Sequence, residues 1–189
     1  MEDGCVEFVT SGTEVGVYTI TATLSASSGD LSADWLLVLY DPSAGFVTGG
    51  GWIDSPEGAY SRDPTLAGKA TFGFVSRYKK GATVPTGNTE FIFHVANLEF
   101  HSCSYDWMVI SGKTAKFKGT GTIRGLEGEY AFMLTATDGD SKDNPDLFRI
   151  KIWNKNPEEL VYDNKIDLAD TEFGGTALSG GSIIVHKSK

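Results

Sequence analysis

Apolar and polar residues alternate with a period of two along most of this chain, and no other property constrains its fold as strongly. From Val15 to Leu24, Val17, Thr19, Thr21 and Thr23 fall on one face of an extended segment, and Tyr18, Ile20, Ala22 and Leu24 on the other. Successive strand side chains point to opposite faces, so such a segment buries one side and wets the other. From Leu147 to Asn154 the alternation directs Phe148, Ile150 and Ile152 inward and Arg149 and Lys151 outward. Similar signals run from Phe46 to Ile53, Lys69 to Tyr78, Glu90 to Phe100 with Phe91, Phe93 and Val95 aligned, and Tyr105 to Ile110. They continue from Ala115 to Lys118, Glu129 to Thr137, Leu160 to Tyr162 and Ser182 to His186. Asp34 to Tyr40 is apolar on both faces and reads as a central strand. No window repeats its apolar residues at helical spacing. Many short strands between glycine-rich turns predict an all-β fold, an antiparallel β-sandwich of jelly-roll or immunoglobulin-like type with little or no helix.

The turns punctuate that pattern. Ser27-Ser28-Gly29-Asp30 reads as a reversal, Asp41-Pro42-Ser43-Ala44-Gly45 as a short linker, and Pro85-Thr86-Gly87-Asn88 as a tight turn. Asp54 to Ala67 is a long connection. Gly49-Gly50-Gly51 lies inside a strand signal, which implies a bulge or the close approach of another backbone.

With 189 residues the chain is long enough to bury a proper core, and 40% hydrophobic residues exclude a disordered polymer. Its formal charge of -9 repels phosphate backbones and argues against nucleic acid as a partner. The longest apolar run, Trp35 to Tyr40, is strand-sized, far short of a membrane span. Cys5 and Cys103 could form one disulfide in an oxidising compartment. Met1 to Cys5 carries no basic or apolar leader, and the expectation is a segment cut from a longer chain.

Signatures of catalysis are weak. Ser111-Gly112-Lys113-Thr114 ends like a phosphate-binding loop, but Trp107 stands where the motif needs its first glycine, and a strand follows instead of a helix. His94, His101 and His186 lie in or beside strands, outside any nucleophile motif. His101 and Cys103 could begin a zinc site, yet no second ligand pair has metal spacing. No particular pair of carboxylates stands out for glycoside hydrolysis. The chain is therefore expected not to be an enzyme.

Two features suggest binding. Asp138, Asp140, Asp143 and Asp146 crowd one loop with Asn144, and calcium is the cation such loops suit; a solvated hairpin loop explains the same residues. The loop departs from an EF-hand at Lys142, Asp143 and Arg149. Trp153 shares the outward face of its strand with Arg149 and Lys151, so it is the candidate for stacking on a sugar, while Trp35, Trp52 and Trp107 are expected in the core.

Val15-Gly16-Val17-Tyr18-Thr19-Ile20-Thr21-Ala22-Thr23-Leu24, followed by a turn and a strand ending Val38-Leu39-Tyr40-Asp41-Pro42, resembles the last two strands of polycystic-kidney-disease-type (PKD) immunoglobulin-like domains. The Asp-rich turn usual there is replaced by Ser27-Ser28-Gly29-Asp30, and the first half of such a domain is missing. The remainder is similar to a C-terminal module that follows such domains in bacterial surface and secreted proteins. That likeness rests on Gly45 to Ile53, Gly68 to Phe74, Phe148 to Trp153 and Gly180 to Lys187. The resemblance implies residues 1–44 as a partial PKD-like segment ahead of a β-sandwich module of residues 45–189. Since an isolated hairpin is marginal in water, that segment must pair with the module, another chain or an absent segment, and docking on the module is the expectation. The resemblance also implies an extracellular or cell-surface setting and a structural or adhesive role beside neighbouring domains. A surface protein or a polysaccharide is the expected partner, and carbohydrate binding through exposed aromatics is the alternative role.

Overall fold

The computed structural model describes residues 14–27 and 29–187, and among them twelve antiparallel strands form two sheets. A hairpin of β1 (Gly16–Ala26) and β2 (Gly29–Leu39) stands apart. The second sheet begins with β3 (Gly45–Ser55), β4 (Gly68–Arg77), β5 (Thr86–Phe93) and β6 (Leu98–Ser111). It continues through β7 (Thr114–Ile123), β8 (Tyr130–Thr137), β9 (Leu147–Lys155) and β10 (Glu158–Asp163), each paired with its neighbour in sequence. The two-residue β11 (Thr176–Ala177) pairs with β9, and β12 (Gly180–Lys187) returns to pair with β3.

The fold is the all-β sandwich that the alternation predicts, built from one long sheet curled over itself. The sheet closes where Tyr60, just past β3, bridges Tyr162 of β10, and the Asp163 N–H donates to the Ala59 carbonyl at 2.8 Å. Across the interior, Phe72 of β4 stacks on Phe148 of β9 with ring centroids 3.9 Å apart. Strand order is up-and-down, whereas jelly-roll and immunoglobulin-like sandwiches interleave their strands.

Phenylalanines fill the space between the layers. Phe91, Phe93, Phe100, Phe117, Phe132 and Phe148 are fully buried, with Ile53, Leu134, Ile150 and Tyr162 among them. Some rings meet edge-on, as Phe117 does on Phe132, and others stack, as Phe91 does with Phe148. Small residues make room: a Cβ on Gly121 would lie 2.4 Å from the Phe100 ring. The Gly49-Gly50-Gly51 run serves the close approach expected of it, since a Cβ on Gly51 would sit 2.2 Å from the Gly180 carbonyl oxygen in β12.

Four expectations need correcting. Pro85-Thr86-Gly87-Asn88 is no tight turn, because Thr86, Gly87 and Asn88 already pair with β4 as the start of β5. Asp34 to Tyr40 is no central strand: β2 pairs only with β1, and Trp35 and Leu36 are exposed. Its double apolar pattern reflects one face turned to solvent and a base that meets the other sheet. From Glu90 to Phe100 the chain is two strands, because a 3-10 turn at His94–Ala96 and Asn97 in the left-handed region reverse it, which leaves Val95 exposed. No tryptophan belongs to the buried core; Trp52 and Trp107 are half-buried, and phenylalanine's smaller, wholly apolar ring fills the interior instead.

The hairpin joins the large sheet at its base, beside β6. Val17 is buried there, and Tyr40 stacks on Tyr78 while donating to the Thr83 carbonyl at 3.0 Å. Its far end stands clear, with Leu24 66% and Leu31 71% exposed.

Candidate functional site

The outer face of β7–β10 gathers the polar chemistry. Strand register sets Lys116, Thr135 and Arg149 in one row across β7, β8 and β9, then Lys118, Met133 and Lys151, then Thr120, Ala131, Trp153 and, in β10, Leu160. Residues 164–175, between β10 and β11, lie across the first row as a strap. Arg149 does point outward as its alternation requires, but the strap leaves it only 3% exposed.

The contacts explain how cations survive there. Arg149 grips Asp163 with two parallel bonds, from Nε at 3.0 Å and from Nη2 at 2.8 Å, and donates to the Leu168 and Ala169 carbonyls. Such a planar fork suits a buried carboxylate. Lys116 Nζ donates to the carbonyls of Asp170 and Glu172 and lies 4.9 Å from the Phe173 ring. Burial, helped by the nearby Arg149 charge, pushes its pKa down to about 8. Asn164 stands in for a missing strand residue: its Oδ1 accepts the Ile150 N–H at 2.8 Å and its Nδ2 donates to the Phe148 carbonyl at 2.8 Å. It thereby bridges the gap on β9 between β10 and β11.

Beside the strap the outer face opens into a groove lined by Lys118, Met133, Lys151, Trp153, Leu160 and Asp170, with Leu36 of the hairpin at its margin. Trp153 is half-buried, and the Lys118 and Lys151 ammoniums lie 5.6 and 5.7 Å from its ring. Lys151 also donates to Asp170 at 2.7 Å, whereas Lys118 has no carboxylate partner among the described residues. An aromatic face beside a free ammonium can stack on a ring and pair with an anionic substituent.

The structure distributes the four loop aspartates instead of gathering them. Asp138 Oδ2 accepts the Val185 N–H at 2.9 Å. Asp146 accepts from Gly139 N at 2.7 Å and from Ile183 N at 2.7 Å, so both carboxylates hold β12 to the loop. Asp140 takes Lys113 at 2.6 Å and Asn144 at 2.6 Å, bonds that hold its pKa below the usual carboxylate value. Asp143 is exposed. Among the described residues no group of three or more His, Cys, Asp or Glu side chains is placed to hold a metal. His101 and Cys103 are both exposed, and His101 lies 3.7 Å from Glu90. Cys103 is a free thiol, and Cys5 lies outside the described residues. Among the described residues no helix is long and apolar enough to cross a membrane.

The sequence did not point to Lys116, Asp163, Asn164 or Asp170. One signal was available: two cations, Lys116 and Arg149, stand at outward positions in strands whose outer neighbours Thr135 and Met133 are suited to cover. Comparison with family models, curated proteins and solved structures found no match for this chain. The likeness to PKD-type domains therefore stands on the residues quoted for it.

Proposed function

We propose that this chain is a non-catalytic extracellular β module with a structural or adhesive role in a larger bacterial surface or secreted protein. One observation carries the reading. The space between the layers is filled with phenylalanine rings, and the buried cations are fully engaged with the strap. A partner is then held on the outside, where the hairpin and the Trp153 groove offer surface. Retention of the chain on intact bacterial cell walls or on immobilised surface protein tests the adhesive role, and its loss in full chains altered on those two surfaces is the expected result. Calcium stiffening of the Asp138–Asp146 loop belongs to the same proposal. Thermal midpoints of the native chain and of an Asp140→Ala, Asp143→Ala double variant, with and without calcium, test it: only the native chain should gain stability.

A second reading follows from the groove alone. Trp153 with Lys118 fits a saccharide ring that carries a carboxylate or sulfate, which makes an acidic polysaccharide the ligand class. Trp153→Ala should abolish binding to such a polymer, and Lys118→Ala should weaken it most at low salt. Equal binding by native and Trp153→Ala chains would remove the groove from the account.

A further inference from the structure

The hairpin is patterned for burial on a side that no described residue covers. Register places Tyr18 opposite Leu37, Ile20 opposite Trp35, Ala22 opposite Ala33 and Leu24 opposite Leu31, so all eight share one face. The other face carries Thr21 bonded to Asp34 at 2.7 Å and Thr23 bonded to Ser32 at 3.0 Å. Ile20 is 41% exposed, Trp35 55%, Leu24 66% and Leu31 71%. No charged residue lies on that apolar face.

We propose that the occupant is the same face of a second copy of this chain, packed layer on layer with the strands antiparallel. Two observations select it. The face alternates by row: the small pair Ala22 and Ala33 lies between the large pairs Leu24 with Leu31 and Ile20 with Trp35, and Gly29 lies one row beyond the leucines. A two-fold axis between the leucine and alanine rows seats the leucines of each copy over the alanines of the other. The same axis sets the Ile20 and Trp35 row against the partner's Gly29 row. It also sends the two large sheets to opposite ends of the paired hairpins. The exposure of the face is the second: Ile20 at 41%, Trp35 at 55%, Leu24 at 66% and Leu31 at 71% correspond to an apolar patch of roughly 500 Å² on each copy, about 1,000 Å² in total, the lower bound for a specific interface. The product is a four-stranded sandwich of two hairpins, which removes the weakness of a lone two-stranded hairpin in water.

Each copy carries a formal charge of -9, so salt should strengthen the association by screening the repulsion between bodies. The test is sedimentation of the full chain from low to high micromolar concentration, with reductant present because Cys103 is an exposed free thiol. The expected result is a shift from 20.3 kDa to twice that mass, at lower concentration in higher salt. Leu24→Lys with Leu31→Lys should hold the chain at monomer mass, whereas Thr23→Lys with Ser32→Lys, on the opposite face, should still dimerise. Ala22→Phe with Ala33→Phe makes the face more apolar yet fills the receiving row, and it too should remain monomeric. A native chain that stays monomeric throughout, a mass that climbs past two copies, or a phenylalanine variant that associates as well as the native chain would each overturn the proposal.

Discussion

A lysine ammonium with almost no water around it is the most demanding single group in this molecule. Lys116 is charged below about pH 8 when folded, against 10.5 for the free side chain, because burial and Arg149 disfavour the proton. Between those values the unfolded chain binds more protons than the folded one, so stability must rise with pH across that window. The rise ends near pH 10, where tyrosines take over. Tyr78, pushed up to about 12, and Tyr162, pushed higher still, keep their protons in the fold while the unfolded chain loses them. Urea unfolding between pH 8 and 10 should therefore show a gain of up to about 2 kcal/mol, absent in Lys116→Met; a flat native profile would mean that Lys116 is solvated. Asp163→Ala should cost about 3 kcal/mol, because it removes the bidentate partner of buried Arg149 and leaves only the Asp170 carboxylate at 3.5 Å, and a thermal melt reads it directly. Neither residue was legible as buried. Period two shows which way a side chain points, and Lys116 and Arg149 do point out of the sheet; what covers that face is a strap with no periodicity to announce it.

Among the elements, strands were more legible than the joints between them. β4, β8 and β9 fall within a residue or two of the stretches that the alternation marks, since each has one face in a continuous apolar interior. The reversal between β5 and β6 was missed because Val95 continues the period while Asn97, a residue that tolerates the left-handed region, makes the turn. The Asp-rich loop was legible as a loop, but its use was not: Asp138 and Asp146 hold β12 through backbone N–H groups far along the chain. Asp146→Ala removes one bond to Ile183 of β12 and one to Gly139 within the loop, and should lower stability by about 2–3 kcal/mol. Its thermal midpoint should fall in chelator as well as in calcium; a loss seen only with calcium present would assign those oxygens to a cation alone.

At the scale of the whole molecule, two parts differ in what protects them. The curled sheet buries aromatic rings between its layers, and the strap covers the Lys116–Arg149 row on the outer face, so β7, β8 and β9 are the best sheltered strands. Among the described residues the hairpin is sheltered only at its base, and its apolar face offers a contact surface instead of a core. Composition and periodicity reveal that both parts are β structure. They do not reveal that one closes on itself and the other stays open, because closure depends on which strands meet across tens of residues. Native-state amide exchange of the full chain at two protein concentrations tests this division of labour most directly. The account predicts slow exchange in β7–β9 at both concentrations, and in β1 and β2 a protection that is weak when dilute and grows as copies associate. Hairpin amides protected equally at both concentrations, or β7–β9 exchanging as fast as the hairpin, would contradict it.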